Sequence, residues 1–193
     1  KATPKEMLPI IDKPLVQYAV EEAIAIGIEE IIFITSPVKN SIQKHFDKSH
    51  ELEKKLASSG KNDFLEKLNP SIFDNIKFKY INQIEQKGLG HAVMLAEEHI
   101  KNEPFAILLP DDLFFSEESC LTQLSKVYAL KENSVVAVNK VDSKNIHKYG
   151  VINPGQIEGR SIDIIDIIEK PKLENAPSNI AVFILIYPGL DNL

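Results

Sequence analysis

Little in this sequence points toward covalent staples, nucleic acid or membranes. Cysteine occurs once, as Cys120, so no intramolecular disulfide can form; a lone thiol fits a reducing, cytoplasmic compartment. A basic excess is missing: 22 Lys and Arg stand against 28 Asp and Glu, giving a net charge of −6. A nucleic-acid binder would carry a basic patch or stripe, and none is visible. Long apolar runs are also missing. The longest, Ile180 to Tyr187, has eight residues, whereas a membrane helix needs about 20. No secretory leader is expected at the start of the chain. No repeat, low-complexity stretch or Pro/Gly/Ser linker divides it, so residues 1–193 are expected to form a single domain. The first residue is Lys1 rather than Met, and no obvious final element follows Asp191. The expectation is therefore a piece of a longer protein. What is present, 44% hydrophobic and 26% charged residues, is ordinary for a globular chain. At this length the core suffices without staples.

Hydrophobic periodicity alternates between helix and strand. Pro14 opens a helical stretch in which Leu15, Tyr18, Ala19, Ala23 and Ile26 recur at helical spacing, and Gly27 is a candidate C-cap. Ile31 to Thr35 is a β-branched run that reads as a buried strand. Asn40 to Phe46 reads as a short helix. His50 to Leu68, polar and mostly charged, reads as one or two more on the surface. Strand patterns follow at Ile76 to Ile81, Phe105 to Leu109 and Ser134 to Val141, with helices at Leu89 to Ile100 and Cys120 to Leu130. After Gly150 the pattern becomes strand-rich, at Val151-Ile152, Ile162 to Ile168 and Ile180 to Tyr187. The expected class is α/β, with a mostly parallel mixed sheet, helices on both faces and late antiparallel additions.

In an open α/β sheet, ligands bind beyond the carboxyl ends of the strands. That rule selects three places. Asp111-Asp112 ends the Phe105 strand, and hard cations such as Mg²⁺ take carboxylate oxygens; Pro110-Asp111 is equally ordinary turn chemistry. Gly88-Leu89-Gly90 opens a helix after the Ile76 strand, where backbone can approach a ligand and an anion is favoured. The same glycines also suit a plain tight turn. Gln83, just before it, carries a donor and an acceptor on one amide, which suits both points of a pyrimidine edge; an exposed polar residue is equally expected there. His91 beside this turn reads as structural. Glu169 and Lys170 end the Ile162 strand as neighbours, so their side chains are expected on opposite faces, with no simple ion pair between them. No Ser or Cys has a base partner at motif spacing, which leaves nucleophilic catalysis unsupported.

In their order along the chain these segments resemble a known family. Pro4-Lys5-Glu6-Met7-Leu8-Pro9 with Asp12-Lys13-Pro14-Leu15 looks like the sugar-nucleotide pyrophosphorylase signature that follows its Gly-rich loop. Gln83 with Lys87-Gly88-Leu89-Gly90-His91-Ala92-Val93 resembles the base-recognition segment of the bacterial UTP–glucose-1-phosphate uridylyltransferases. Leu109-Pro110-Asp111-Asp112, Tyr149-Gly150-Val151, Glu169-Lys170-Pro171 and Ala176-Pro177-Ser178-Asn179 continue the likeness in order over nearly the whole chain. The nearest competitor is the glucose-1-phosphate thymidylyltransferases. The stretch 48–70 resembles the helical insertion of the uridylyl enzymes, and Lys5 to Pro9 their version of the signature.

The resemblance implies a Rossmann-like nucleotide-diphospho-sugar transferase fold. The implied reaction is Mg²⁺-dependent: UTP and glucose 1-phosphate give UDP-glucose and pyrophosphate. It assigns Lys5 to the nucleotide phosphates, Lys170 to the sugar phosphate, Asp111 to Mg²⁺, Gln83 and the Gly88 backbone to uracil, and Glu169, Gly150 and Val182 to the sugar. It is compatible with a homo-oligomer and implies neither a nucleic-acid nor a membrane partner. The family's Gly-x-Gly-Thr-Arg loop would precede Lys1, and its second metal-binding aspartate would follow Leu193. Phe183 to Tyr187 stands where the family has a glycine ahead of an aromatic. These departures imply that the 193-residue chain alone is inactive. They leave a catalytically silent nucleotide-sugar-binding homologue as the alternative.

Overall fold

The structure, a computed structural model, describes residues 4–36 and 40–189. The two ends, on which the expectation of a longer protein rests, lie outside the described residues. A small hairpin of β1 (Pro9–Ile10) and β2 (Lys13–Pro14) leads directly into helix α1 (Leu15–Ala25). Pro14, with its ring-fixed φ of −69°, is the residue flanking the helix start, one step before the position the sequence pattern gave it. Helix α1 ends in paired reverse hydrogen bonds. The Gly27 N–H donates to Ile24 O at 2.9 Å and the Ile28 N–H to Ala23 O at 3.3 Å. Gly27 sits at φ +90°, a conformation that favours glycine.

Strand β3 (Glu30–Thr35) runs parallel to β4 (Lys77–Asn82), joined by α2 (Asn40–Phe46), α3 (His50–Ser58) and α4 (Asn62–Leu68). This unit is held by an aromatic cluster. The Phe33 ring stacks on Phe46, Phe78 and Tyr80 at centroid distances of 5.1, 5.9 and 5.3 Å. Val16 and Val20 of α1 close the cluster from the other side. Helices α3 and α4 bury no residue.

The expected single helix over Leu89–Ile100 is interrupted. It forms α5 (Leu89–Met94) and α6 (Glu97–Ile100), because around Ala96 the bonds tighten: the Ala96 N–H reaches Val93 O at 2.9 Å. Strand β5 (Phe105–Ile107), helix α7 (Cys120–Lys131), β6 (Val135–Lys140), β7 (Gly150–Glu158), β8 (Ser161–Glu169) and β9 (Ile180–Tyr187) complete the fold. Strand β9 is the organiser. It pairs antiparallel with β5, β6 and β7, and β8 extends β7. Val151, Ile152, Leu121 and Ile184 at this junction are fully buried.

The mixed α/β class is as expected, but parallel pairing is scarcer than the alternation implied. Among the described residues only β3–β4 is a parallel ladder. The late strands meet β9 through antiparallel connections. Between β3 and β5 lies a cavity of about 480 Å³ rather than a ladder, lined by Ala19 and Ala23 of α1 and by Ala92 and Ala96. Strand β7 also runs further than its sequence indicated. Beyond Val151-Ile152, two register shifts against β8 absorb Pro154 and let the ladder continue to Glu158.

Helix α7 is capped twice. Ser119 Oγ accepts from the Thr122 N–H at 3.1 Å, and Glu22 of α1 accepts from the Leu121 N–H at 2.8 Å. Burial, together with the nearby Glu22 carboxylate, pushes the Cys120 thiol up to about 11. That thiol is a packing group rather than a nucleophile.

Candidate functional site

The carboxyl ends of β4, β5 and β8 carry the three places selected from the sequence. At the end of β4, the Gln83 N–H donates to Thr35 O at 2.7 Å and extends the parallel ladder by one residue. The chain then turns through Gly88, at φ +94° and ψ −175°, into α5. Backbone of this kind is essentially restricted to glycine. The Gln83 side chain folds back over the turn. Its Nε2 lies 3.1 Å from Gly88 O and 3.0 Å from His91 Nδ1.

This narrows the two-point match expected of the Gln83 amide. Both of its hydrogens are already engaged, so the amide offers a ligand only its carbonyl oxygen. The Gly88 N–H, which takes no acceptor among the described residues, is the neighbouring donor.

At the end of β5, Asp112 closes a turn onto Leu109 O at 2.9 Å. Asp111 receives the Lys5 ammonium at 2.6 Å, joining residues 106 positions apart in the chain. The Lys5 hydrogen bond holds the Asp111 carboxyl below its ordinary range, and the same bond holds the Lys5 ammonium above its own. Asp112 behaves oppositely. Burial pushes its carboxyl up, and the Asp111 charge adds to that. Asp111 is therefore the firmly ionised oxygen donor of the pair. Lys5 and Asp111 also line the polar end of the cavity between β3 and β5.

At the end of β8, Glu169 pairs in register with Gly150. A Cβ on Gly150 would lie 3.1 Å from Glu169 Oε2, so the absence of a side chain there keeps the carboxylate and the backbone close. The antiparallel pairing of Val151 with Ala181, carried one step, sets Val182 alongside Gly150. The expectation that Glu169 and Lys170 diverge to opposite faces does not hold. Lys170 adopts φ +45°, which ends the strand alternation at Glu169 and swings its Nζ to 3.2 Å from Glu169 Oε1. Its N–H is anchored to Tyr149 O at 3.0 Å.

The structure thus brings together Lys5 with Asp111, Gln83 with Gly88, and Gly150 with Val182, Glu169 and Lys170. Among the described residues no hydrogen bond or ion pair links one of these groups to another. The contacts that sequence reasoning missed are Lys5 on Asp111 and His91 on Gln83. For the second, the only available signal was position: His91 lies in the first turn of the helix that Gly88 opens.

The nucleotidyl transferase family matches residues 1–187. The chain belongs to that family. It is 49% identical over 182 residues to a protein of Staphylococcus haemolyticus named UTP–glucose-1-phosphate uridylyltransferase, covering 94% of this chain and 63% of that protein. The chain therefore spans less than two thirds of the length of the curated relatives it matches. Among solved structures, a UDP-glucose pyrophosphorylase complexed with UDP-glucose superposes with a TM-score of 0.84 at 40% identity, over 96% of this chain and 68% of the other. A UTP-bound pyrophosphorylase of Acinetobacter baumannii gives a TM-score of 0.86 at 33% identity, over 96% and 67%. No helix of the described residues is long and apolar enough to cross a membrane.

Proposed function

We propose that this chain forms the nucleotide- and sugar-phosphate-binding part of an enzyme that converts UTP and glucose 1-phosphate to UDP-glucose and pyrophosphate. In this reading residues 1–193 belong to one nucleotidyltransferase domain, and 48–70 is a helical surface insertion within it. The observation that carries the reading is the Gln83 amide carbonyl, left without a donor among the described residues, beside the likewise unpaired Gly88 N–H. An acceptor beside a donor matches the N3–H and a carbonyl of uracil. The names of the relatives agree with it.

The chemistry needs no covalent intermediate on the protein. An oxygen of the sugar phosphate attacks the α-phosphorus in line, and pyrophosphate leaves. The obstacle is electrostatic. Two phosphate charges about 4 Å apart repel by about 4 kcal/mol at an effective dielectric of about 20. Lys170 would hold the sugar phosphate, and Lys5 the nucleotide phosphates. Local cations thereby serve polyanionic substrates on a chain of net charge −6. Glu169 would accept from sugar hydroxyls, with the Gly150 and Val182 backbone alongside. A carboxylate in that role discriminates strongly, because a hydroxyl of the wrong configuration leaves it unpaired.

The donor set suits a hard divalent cation shared with substrate. No cluster of three or more metal-ligating side chains exists among the described residues, and one ionised carboxylate stands at a strand end. Mg²⁺ is commonly held by one or two carboxylates, with substrate phosphates completing its shell. Asp111 would hold it, and the ion would supply neutralisation of phosphate charge. The Lys5–Asp111 pair is half-exposed, so separating its partners costs about 0–1 kcal/mol. A cytoplasmic location and a role in carbohydrate metabolism accompany the proposal.

The test is direct. The full reading frame is purified and supplied with UTP, glucose 1-phosphate and Mg²⁺, and UDP-glucose and pyrophosphate are measured. Equimolar formation of both supports the reading. Binding of UTP without turnover would replace it with that of a silent nucleotide-binding homologue.

A further inference from the structure

The base corner contains one group that the proposed reaction has not used. His91 lies half-buried in the first turn of α5, with Nδ1 3.0 Å from Gln83 Nε2. The direction of that bond follows from its surroundings. Gly88 O, 3.1 Å from the same nitrogen, is a carbonyl and can only accept, so the amide end facing it is the NH₂. The second hydrogen of that NH₂ then points to His91, whose Nδ1 must accept. The neutral ring carries its own hydrogen on Nε2. Two acceptors, one from the backbone and one from the imidazole, clamp the same nitrogen. The Gln83 carbonyl takes no hydrogen among the described residues.

We propose that His91 is a positioning residue for base choice: by accepting from Gln83 it fixes the amide orientation that admits uracil and rejects cytosine. The inference rests on the base-reading role of Gln83 in the proposed function. Uracil and cytosine have nearly the same shape, but opposite hydrogen-bonding character at N3. Uracil presents N3–H to the fixed carbonyl, and a hydrogen bond forms. Cytosine presents a lone pair at N3, and two acceptors face each other. A glutamine free to turn by half a revolution about its last bond would present NH₂ to cytosine instead and lose the distinction. The Gly88 carbonyl alone opposes that rotation with one bond; with His91 as its Nε2–H tautomer the rotation breaks two, and regaining the second requires the ring to move its hydrogen from Nε2 to Nδ1. Thymine shares the N3–H edge of uracil, so the clamp leaves discrimination against thymine untouched.

The experiment uses the full reading frame and measures kcat/KM for UTP, CTP and dTTP with glucose 1-phosphate. The variants are His91→Leu, His91→Asn and Gln83→Ala. Leucine fills the space without an acceptor. Asparagine offers Oδ1 close to where Nδ1 stands. His91→Leu is expected to lower the UTP/CTP ratio by about tenfold or more, the scale of one unpaired polar group, with the UTP/dTTP ratio unchanged. His91→Asn should recover most of the UTP/CTP ratio. A merely structural role would lower all three constants together and leave both ratios alone, and that result overturns the proposal. So does a His91→Asn variant as poor in UTP/CTP ratio as His91→Leu. Gln83→Ala separates the two levels. If it erodes the UTP/CTP ratio while His91→Leu does not, the clamp is wrong and the base-reading site stands. If Gln83→Ala changes no ratio, the base-reading site itself is wrong. Thermal melting of each variant reports its folding, and His91→Asn carries the comparison should His91→Leu prove unstable.

Discussion

The base corner and the phosphate corner of the site hold their polar groups in opposite ways. At Gln83, Gly88 and His91 every bond is neutral, and together they leave one acceptor and one donor without partners among the described residues. At Lys5 and Asp111 the two charged groups satisfy each other, at 2.6 Å. Lys170 does the same with Glu169 at 3.2 Å. In the proposed reading the neutral corner is organised before its ligand arrives, whereas the charged corners would have to open to receive theirs. The difference follows from what each corner would bind. A base edge is read by direction, and a fixed array reads direction best. Phosphates bring large charge, and a cation is what offsets it. Carboxylate neighbours hold these cations in place at little cost while the site is empty.

The comparison can be broken in several ways, beginning with the largest effect. Lys170→Ala in the full reading frame removes a charge-assisted phosphate contact of roughly 2–4 kcal/mol, or about 30- to 1,000-fold in kcat/KM for glucose 1-phosphate. Steady-state kinetics check it, and values within twofold of wild type would take Lys170 out of the site. Gly88→Ala attacks the organised corner. A Cβ at Gly88 meets nothing within 4 Å, so its whole effect is backbone strain at φ +94°. The loop is expected to shift, raising the KM for UTP by about 5- to 150-fold, the equivalent of 1–3 kcal/mol. An unchanged KM would show that the turn geometry does not serve the base.

The smallest effect lies away from both corners and sharpens the contrast by testing a neutral contact alone. The His45 Nε2 donates to Gln17 Oε1 at 2.9 Å, and burial holds the ring's pKa below its ordinary value of 6.5. The unfolded chain therefore takes up this proton first. The stability tied to a neutral His45 is fully present above about pH 6.5 and declines as pH falls below it through the lowered folded value. Denaturant unfolding between pH 7.5 and 5.5 would show this decline, and His45→Asn should flatten it.

Much of this was legible in the sequence because it is local. Apolar runs marked β3 and β9, alternation marked β4, helical patterns marked α1 and α7, and the ordered motifs named each candidate residue. What was not legible depends on long-range meeting or on single backbone angles. Nothing in the spacing shows that Lys5 reaches Asp111 across 106 positions. Strand alternation put Glu169 and Lys170 apart, and one left-handed residue reversed that. The strand beyond Val151-Ile152 was not marked, because Pro154 is accommodated only by the bulged pairing with β8. The sparse parallel pairing was hidden in the same way, since it depends on which strands reach β9. The fate of the Gln83 donor was hidden too, because the accepting His91 meets it only after the turn at Gly88 has formed.

The central claim is that Lys5 and Asp111 pair for function rather than for stability. Their side chains are 62% and 49% exposed, so as a surface ion pair they contribute about 0–1 kcal/mol to folding. The measurement is Asp111→Asn in the full reading frame, with the free energy of unfolding and the rate of UDP-glucose formation determined on the same sample across a Mg²⁺ titration. The account predicts unfolding within about 1 kcal/mol of wild type and a rate reduced by about 100-fold or more at ordinary Mg²⁺ concentrations. A rate near that of wild type with the same Mg²⁺ dependence would contradict it, as would a loss of activity matched by a comparable loss of stability.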